Sequence, residues 1–210
     1  MRISNRLLVV LAAAAISAGT ARAQAFAYPA FQTARIAERE YNFVLGDADG
    51  GSTAIAFQWR EGLGQPKLQF TLDAGFADGG VGGSTILFFG GGLGYQLATA
   101  RTDMPFDIVL SGGLGLGFAD GVSYTRLPFG ASVGHRFPLE GGFAISPFLH
   151  PRLAWNRFSA GGGSTSATDL EVEFGGSFEI NPRMAVRLAA VMSDADVVGI
   201  SFVWTPRGIK

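Results

Sequence analysis

The sequence predicts an all-β fold, a closed antiparallel transmembrane up-and-down β-barrel of about ten strands. Three observations predict it: apolar and polar residues alternate over long stretches, only one continuous apolar run is present, and the composition is too apolar for a water-soluble chain of this size. The 210 residues include 31 glycines and 18 phenylalanines, only 16% are charged, and the mean hydropathy is +0.27. Cysteine is absent, so an exported chain would lack disulfide staples and depend on backbone pairing or lipid. The net charge of -1 leaves no basic footprint for nucleic acid.

The apolar run opens the chain. Met1 to Arg6 carries two arginines and no acid, Leu7 to Ala18 is apolar apart from Ser17, and Gly19-Thr20-Ala21-Arg22-Ala23 supplies small side chains at Ala21 and Ala23. The run is too short to cross a bilayer as a helix, so it predicts a signal peptide over 1–23, cleaved before Gln24. Residues 24–38 show no clear alternation around Tyr28-Pro29-Ala30-Phe31. They are expected as a periplasmic lead-in, with a short plug left open. Only helices and closed barrels satisfy every backbone group inside a membrane, which assigns 39–205 to the barrel and 206–210 to a C-terminal tail.

Strands are expected near 39–46, 52–60, 67–77, 84–98, 106–119, 122–137, 143–158, 168–180, 184–193 and 197–205, with eight or twelve strands as alternatives. The clearest alternation runs from Asp169 to Ile180: Leu170, Val172, Phe174, Phe178 and Ile180 share one face, while Asp169, Glu171, Glu173, Ser177 and Glu179 share the other. Val198, Ile200, Phe202 and Trp204 repeat the pattern. Connections alternate in chemistry. One class is rich in Asp, Gly or Ser (46–50, 77–80, 119–121, 160–168, 193–196), and the other contains Pro66, Pro105, Pro138 or Pro182. With both termini in the periplasm, the proline class becomes periplasmic and the Asp/Gly class external, with one long external loop at 160–168. A three-residue turn at Asn181-Pro182-Arg183 would set Ile180 opposite Met184 and Phe178 opposite Val186. Trp59, Tyr95, Phe106, Phe137 and Trp204 are expected in a periplasmic aromatic girdle, with Phe43, Phe76, Phe118 and Trp155 nearer the other rim.

Signal peptide, glycine-rich alternating strands, proline-containing turns and the closing strand Ile200-Ser201-Phe202-Val203-Trp204 together resemble the small outer-membrane barrel superfamily that includes the OmpA transmembrane domain, OmpX and OmpW. The resemblance covers nearly the whole mature chain and rests on pattern. It implies the Gram-negative outer membrane, lipid and lipopolysaccharide as surroundings, and the barrel-assembly machinery as a partner in biogenesis. That machinery reads a terminal aromatic residue, whereas here Trp204 is followed by Thr205-Pro206-Arg207-Gly208-Ile209-Lys210. No peptidoglycan-binding domain is expected.

Function is sought on the inward face, where lumen residues set what passes. Gly90, Gly92, Gly94, Ser111, Gly113, Gly115 and Gly117 leave room there for larger side chains from elsewhere. A phosphate cradle is rejected because neither glycine cluster is followed by Lys-Ser/Thr or a helical pattern. Arg126, Arg136, His150, Arg152, Glu171, Glu173, Glu179 and Arg187 are the candidate lumen charge network. A symmetric loop at 160–168 would set Arg152 opposite Glu173, with Arg187 opposite Ser177 and diagonal to Glu179. Arg–Glu pairs closing the barrel are favoured over a constriction selecting small solutes. Catalysis is not expected: His135 falls on the lipid face, His150 points inward, and neither a G-x-S-x-G elbow nor an H-E-x-x-H motif occurs. No cofactor or metal is expected. The Asp47-Ala48-Asp49-Gly50 segment lacks the glutamate of a calcium loop, Gln58 standing there, and rim aspartates at 47, 49, 78, 120, 194 and 196 suit turns better than shared cations. An envelope-integrity role with an occluded lumen leads, a narrow, porin-like channel for small polar or apolar solutes is the alternative, and an adhesin is third. A soluble lipocalin-type barrel, apolar inside and polar outside, is the rival fold.

Overall fold

The computed structural model describes residues 30–48, 52–63, 67–78, 84–193 and 197–207. The expected signal peptide, the external aspartates Asp49, Asp194 and Asp196, and the turn at Pro66 lie outside them.

The strands are β1 (Arg39–Ala48), β2 (Ser52–Gly62), β3 (Leu68–Ala77), β4 (Ile86–Ala98), β5 (Asp107–Ala119), β6 (Val122–Gly134), β7 (Phe137–Pro138), β8 (Ala144–Ala160), β9 (Gly163–Asn181), β10 (Met184–Met192) and β11 (Val197–Trp204). Each long strand pairs antiparallel with its sequence neighbours, β1 pairs with β11, and β6 pairs directly with β8. The barrel therefore closes with 10 strands, and closure removes every free edge. Strand β7 is a two-residue stub on β8, followed by a single 3-10 turn at Glu140–Gly142.

Alternation sets the two faces. In β1, Glu40, Asn42 and Val44 are buried inside, while Phe43 and Leu45 are exposed outside. The same division holds around the barrel, with Leu93 57%, Phe129 64% and Leu170 67% exposed on the outer wall. Polar residues inside and large apolar residues outside are the reverse of the lipocalin arrangement, and such a surface is stable only against an apolar medium. Aromatic rings gather at the end where β1 begins and β11 ends: Tyr41 stacks on Trp204 at 5.4 Å and Trp59 meets Phe70 edge-on at 5.1 Å.

Three local expectations need correction. Residues 160–168 form no long loop; Gly161 and Gly162 make a tight turn with φ of 56° and 85°, and Ala160 pairs with Gly163. Two adjacent positive-φ glycines fit the right-handed twist of a hairpin, so both strands run on into polar, exposed residues. At Pro182-Arg183, Phe178 does face Val186, but Met184 faces Asn181 and Ile180 is bulged out, because the register shifts between Met184 and Ala185. Phe43 is not near the far rim; it pairs with Phe57 and Phe202, two residues from Tyr41, because β1 continues to Ala48.

Candidate functional site

The lumen is built from inward residues of all ten long strands together with residues 30–38. That segment does not lie below the barrel as a lead-in would; it runs inside it, the second placement the sequence left open. Its backbone has no ladder of its own, and strand side chains satisfy it instead. Gln69 accepts from the Ala37 N–H at 3.2 Å and Gln96 from the Ile36 N–H at 3.0 Å, while Gln96 and Ser132 donate to the carbonyls of Ala34 and Gln32 at 2.9 and 2.6 Å. At the inner end Phe31 has φ 51°, a left-handed bend unusual for an aromatic residue. The bend turns two successive N–H groups, Ala30 and Phe31, onto the carboxylate of Glu173 at 3.0 and 2.7 Å. Adjacent amides converging on one anion make a small backbone nest. The Phe31 ring is 0% exposed and packs with Val44, Ala56, Phe88 and Phe148 in the main apolar cluster of the interior.

Around this strap the charges form two linked groups. In the first, Glu40 lies between Arg187, with bonds of 2.5 and 2.6 Å, and Arg60 at 2.9 Å. Arg60 also donates to the Ala30 and Phe31 carbonyls, the latter at 2.9 Å, and Asn42 donates to Glu40 at 2.8 Å. In the second, Glu171 is shared by Arg126 and Arg152, the Arg152 bond being 2.5 Å, and Arg152 reaches Glu173 at 3.0 Å. Glu173 connects the groups by holding both the strap and Arg152. Arg136 clasps Glu179 separately at 2.6 to 3.0 Å. Each carboxylate is nearly buried, so pairing is what makes its ionised form tolerable.

All eight expected network residues engage a charged or polar partner; Arg152 keeps the expected Glu173 and adds Glu171, while Arg187 takes a different main partner. Arg152 stands opposite Glu171, and His150 opposite Glu173, because the tight Gly161-Gly162 turn moves the register by two residues and leaves the faces unchanged. Arg187 does stand opposite Ser177, yet its main partner is Glu40 across the lumen and not Glu179. Glu40, Arg60, Gln69 and Gln96 were not singled out, although alternation in Arg39-Glu40-Tyr41-Asn42-Phe43 would have placed Glu40 inside. His150 Nε2 shares a hydrogen bond of 2.8 Å with Ser111, but its Nδ1 lies 3.5 Å from Glu173 and makes no hydrogen bond. His135 sits at the rim with Nδ1 3.9 Å from Asp107. Among the described residues no acidic or histidine cluster is placed to hold a metal ion.

No family model and no curated protein matches the chain. Several solved structures are similar to it. One, described as a de novo designed transmembrane β-barrel, is 12% identical with a TM-score of 0.42 and covers 81% of this chain and 97% of that one. The β domain of the Bordetella autotransporter BrkA is 12% identical at TM-score 0.42, covering 80% and 98%. Ail, the attachment invasion locus protein of Yersinia pestis, is 11% identical at TM-score 0.33, covering 80% and 97%.

Proposed function

We propose that this chain is an integral outer-membrane barrel that serves envelope integrity, with a lumen closed by its own N-terminal strap and ion-pair network, and that it catalyses no reaction. The observation that carries the reading is Phe31, a fully buried ring in the middle of the lumen, held by backbone bonds to Glu173, Arg60 and Arg187 from three different strands. An apolar outer wall needs lipid around it, and the rings at the end where β1 begins and β11 ends suit a headgroup boundary. Lipopolysaccharide would bathe the opposite rim, and the barrel-assembly machinery would insert the chain despite the residues after Trp204.

Planar-bilayer recording of the refolded mature chain tests this. Silence in the wild type and current in an Arg152→Ala/Glu173→Ala variant are expected, since that variant removes the carboxylate that holds the Ala30 and Phe31 N–H groups and opens the charge group beside them. Steady wild-type conductance would replace the reading with a narrow channel for small solutes.

A further inference from the structure

Across β6, β8 and β9 the outer wall changes chemistry row by row toward the end away from Trp204. Residues directly opposite each other in an antiparallel pair share a face, so the register sets the outward rows. Phe129, Leu153 and Leu170 make one row, and Leu127, Trp155 and Thr168 make the next. Thr125, Arg157 and Ser166 form the third, and Ser123, Ser159 and Ser164 the fourth. Successive rows differ by roughly 5 Å in height, the rise of two residues on a strand tilted by about 40°. Apolar wall thus gives way to an indole ring and, one row above it, to hydroxyls around a single cation.

Arg157 is exposed, donates one hydrogen bond, from Nη2 to Ser164 Oγ at 3.3 Å, and forms no ion pair among the described residues. Among those residues it is also the only arginine or lysine on the outer surface at this end of the barrel, and the connections 49–51, 79–83 and 194–196 contain neither type. The exposed aspartates Asp47 and Asp78 belong to β1 and the end of β3, and Asp120 accepts from Ser84 at 2.9 Å. Ser123, Arg157, Ser159 and Ser164 line an open groove between the turns at 121 and 161–163.

Continuity and charge together narrow what covers this face. It prolongs the lipid-facing wall, so its occupant is whatever stands above the lipid tails, and an unpaired guanidinium one row beyond Trp155 matches a phosphate at that height. The hydroxyl rows continue roughly 5 Å past Arg157, farther than a phosphate on that side chain extends, and hydroxyls that both donate and accept suit the hydroxyls of a sugar. We propose that this face binds the phosphorylated sugar head of a glycolipid in the surrounding leaflet, the phosphate on Arg157 and the sugars on Ser123, Thr125, Ser159 and Ser166. The proposal rests on the outer-membrane reading above and adds to it a defined head-group site.

The test is displacement of fluorescent lipid A from the refolded full chain in nonionic micelles, followed by anisotropy. Unlabelled lipid A should displace it about tenfold more effectively than its phosphatase-treated form, the margin of one charge-assisted hydrogen bond. It should also outcompete phosphatidylglycerol, which carries phosphate without sugar, and Thr125→Ala/Ser166→Ala should narrow that second margin. Arg157→Gln should abolish the preference for the phosphorylated form, whereas Arg183→Gln, at an exposed cation in the turn at the opposite end, should keep it. Heat-modifiable migration of each variant reports the barrel separately from the binding. A chain that never reaches the heat-modifiable form in micelles would overturn the membrane reading and this proposal with it. A folded barrel in which dephosphorylated lipid A or phosphatidylglycerol competes equally, or in which Arg157→Gln leaves the preference intact, would overturn the proposal alone.

Discussion

Replacing Glu173 by alanine is the sharpest test of how the lumen is held. The carboxylate is 0% exposed and accepts from Ala30 N–H, Phe31 N–H and Arg152 Nη1 at 3.0, 2.7 and 3.0 Å. Alanine leaves two buried backbone donors unpaired, at roughly 1–3 kcal/mol each, and takes one of two carboxylates from Arg152. Arg152 keeps Glu171, so the loss falls short of a fully orphaned charge, and water entering the vacated space offsets part of it. A destabilisation of about 3–5 kcal/mol follows, in the range for breaking one side of a buried ion pair. Glu173→Gln keeps one acceptor oxygen for the strap and should lose roughly half as much. The assay is urea unfolding of the refolded protein in lipid vesicles, followed by the fluorescence of Trp59, Trp155 and Trp204 and by heat-modifiable electrophoretic migration. A double-mutant cycle with Arg152→Ala should show coupling of at least about 1 kcal/mol. A loss for Glu173→Ala below about 1 kcal/mol, or additivity with Arg152→Ala, would refute the view that Glu173 ties strap to network.

Phe31→Ala should cost about 3–5 kcal/mol by the same unfolding assay, the usual range for emptying a buried aromatic site, and should produce current where the wild type is silent. Phe31→Gly should be less damaging than alanine by about 1 kcal/mol, because glycine adopts φ 51° without strain. Glu40→Ala removes the shared partner of Arg60 and Arg187 and should cost about as much as Glu173→Ala, whereas Glu61→Ala at the solvent-screened Arg39 pair should shift the unfolding midpoint far less. Gly75→Val should prevent the compact heat-modifiable form altogether, since a Cβ there would lie 2.6 Å from Phe88 Cζ and 2.9 Å from Ala56 Cα. Gly162→Ala, at φ 85°, should shorten the projecting β8–β9 hairpin, read as faster proteolytic nicking near Ala160.

Which face each strand residue takes is legible locally, because side-chain direction alternates with a period of two and depends only on the neighbouring backbone. The division holds even where the register differs from a symmetric loop: moving β8 against β9 by two residues sets Arg152 opposite Glu171 instead of Glu173 without changing its face. The number of barrel strands followed for the same reason, since each is a local pattern bounded by turn residues. Glu40 and Arg60 could have been read from that alternation, yet their importance depends on Arg187, 147 and 127 residues away in the chain. Only closure of the barrel brings β1, β2 and β10 around one axis, and nothing local encodes which charges then meet across it. The strap is the extreme case. Residues 30–38 have no alternation and no ladder, and their conformation is set by donors and acceptors that strands far apart in sequence supply once the barrel has closed. Local chemistry thus decided the wall, and long-range hydrogen bonding decided what fills it.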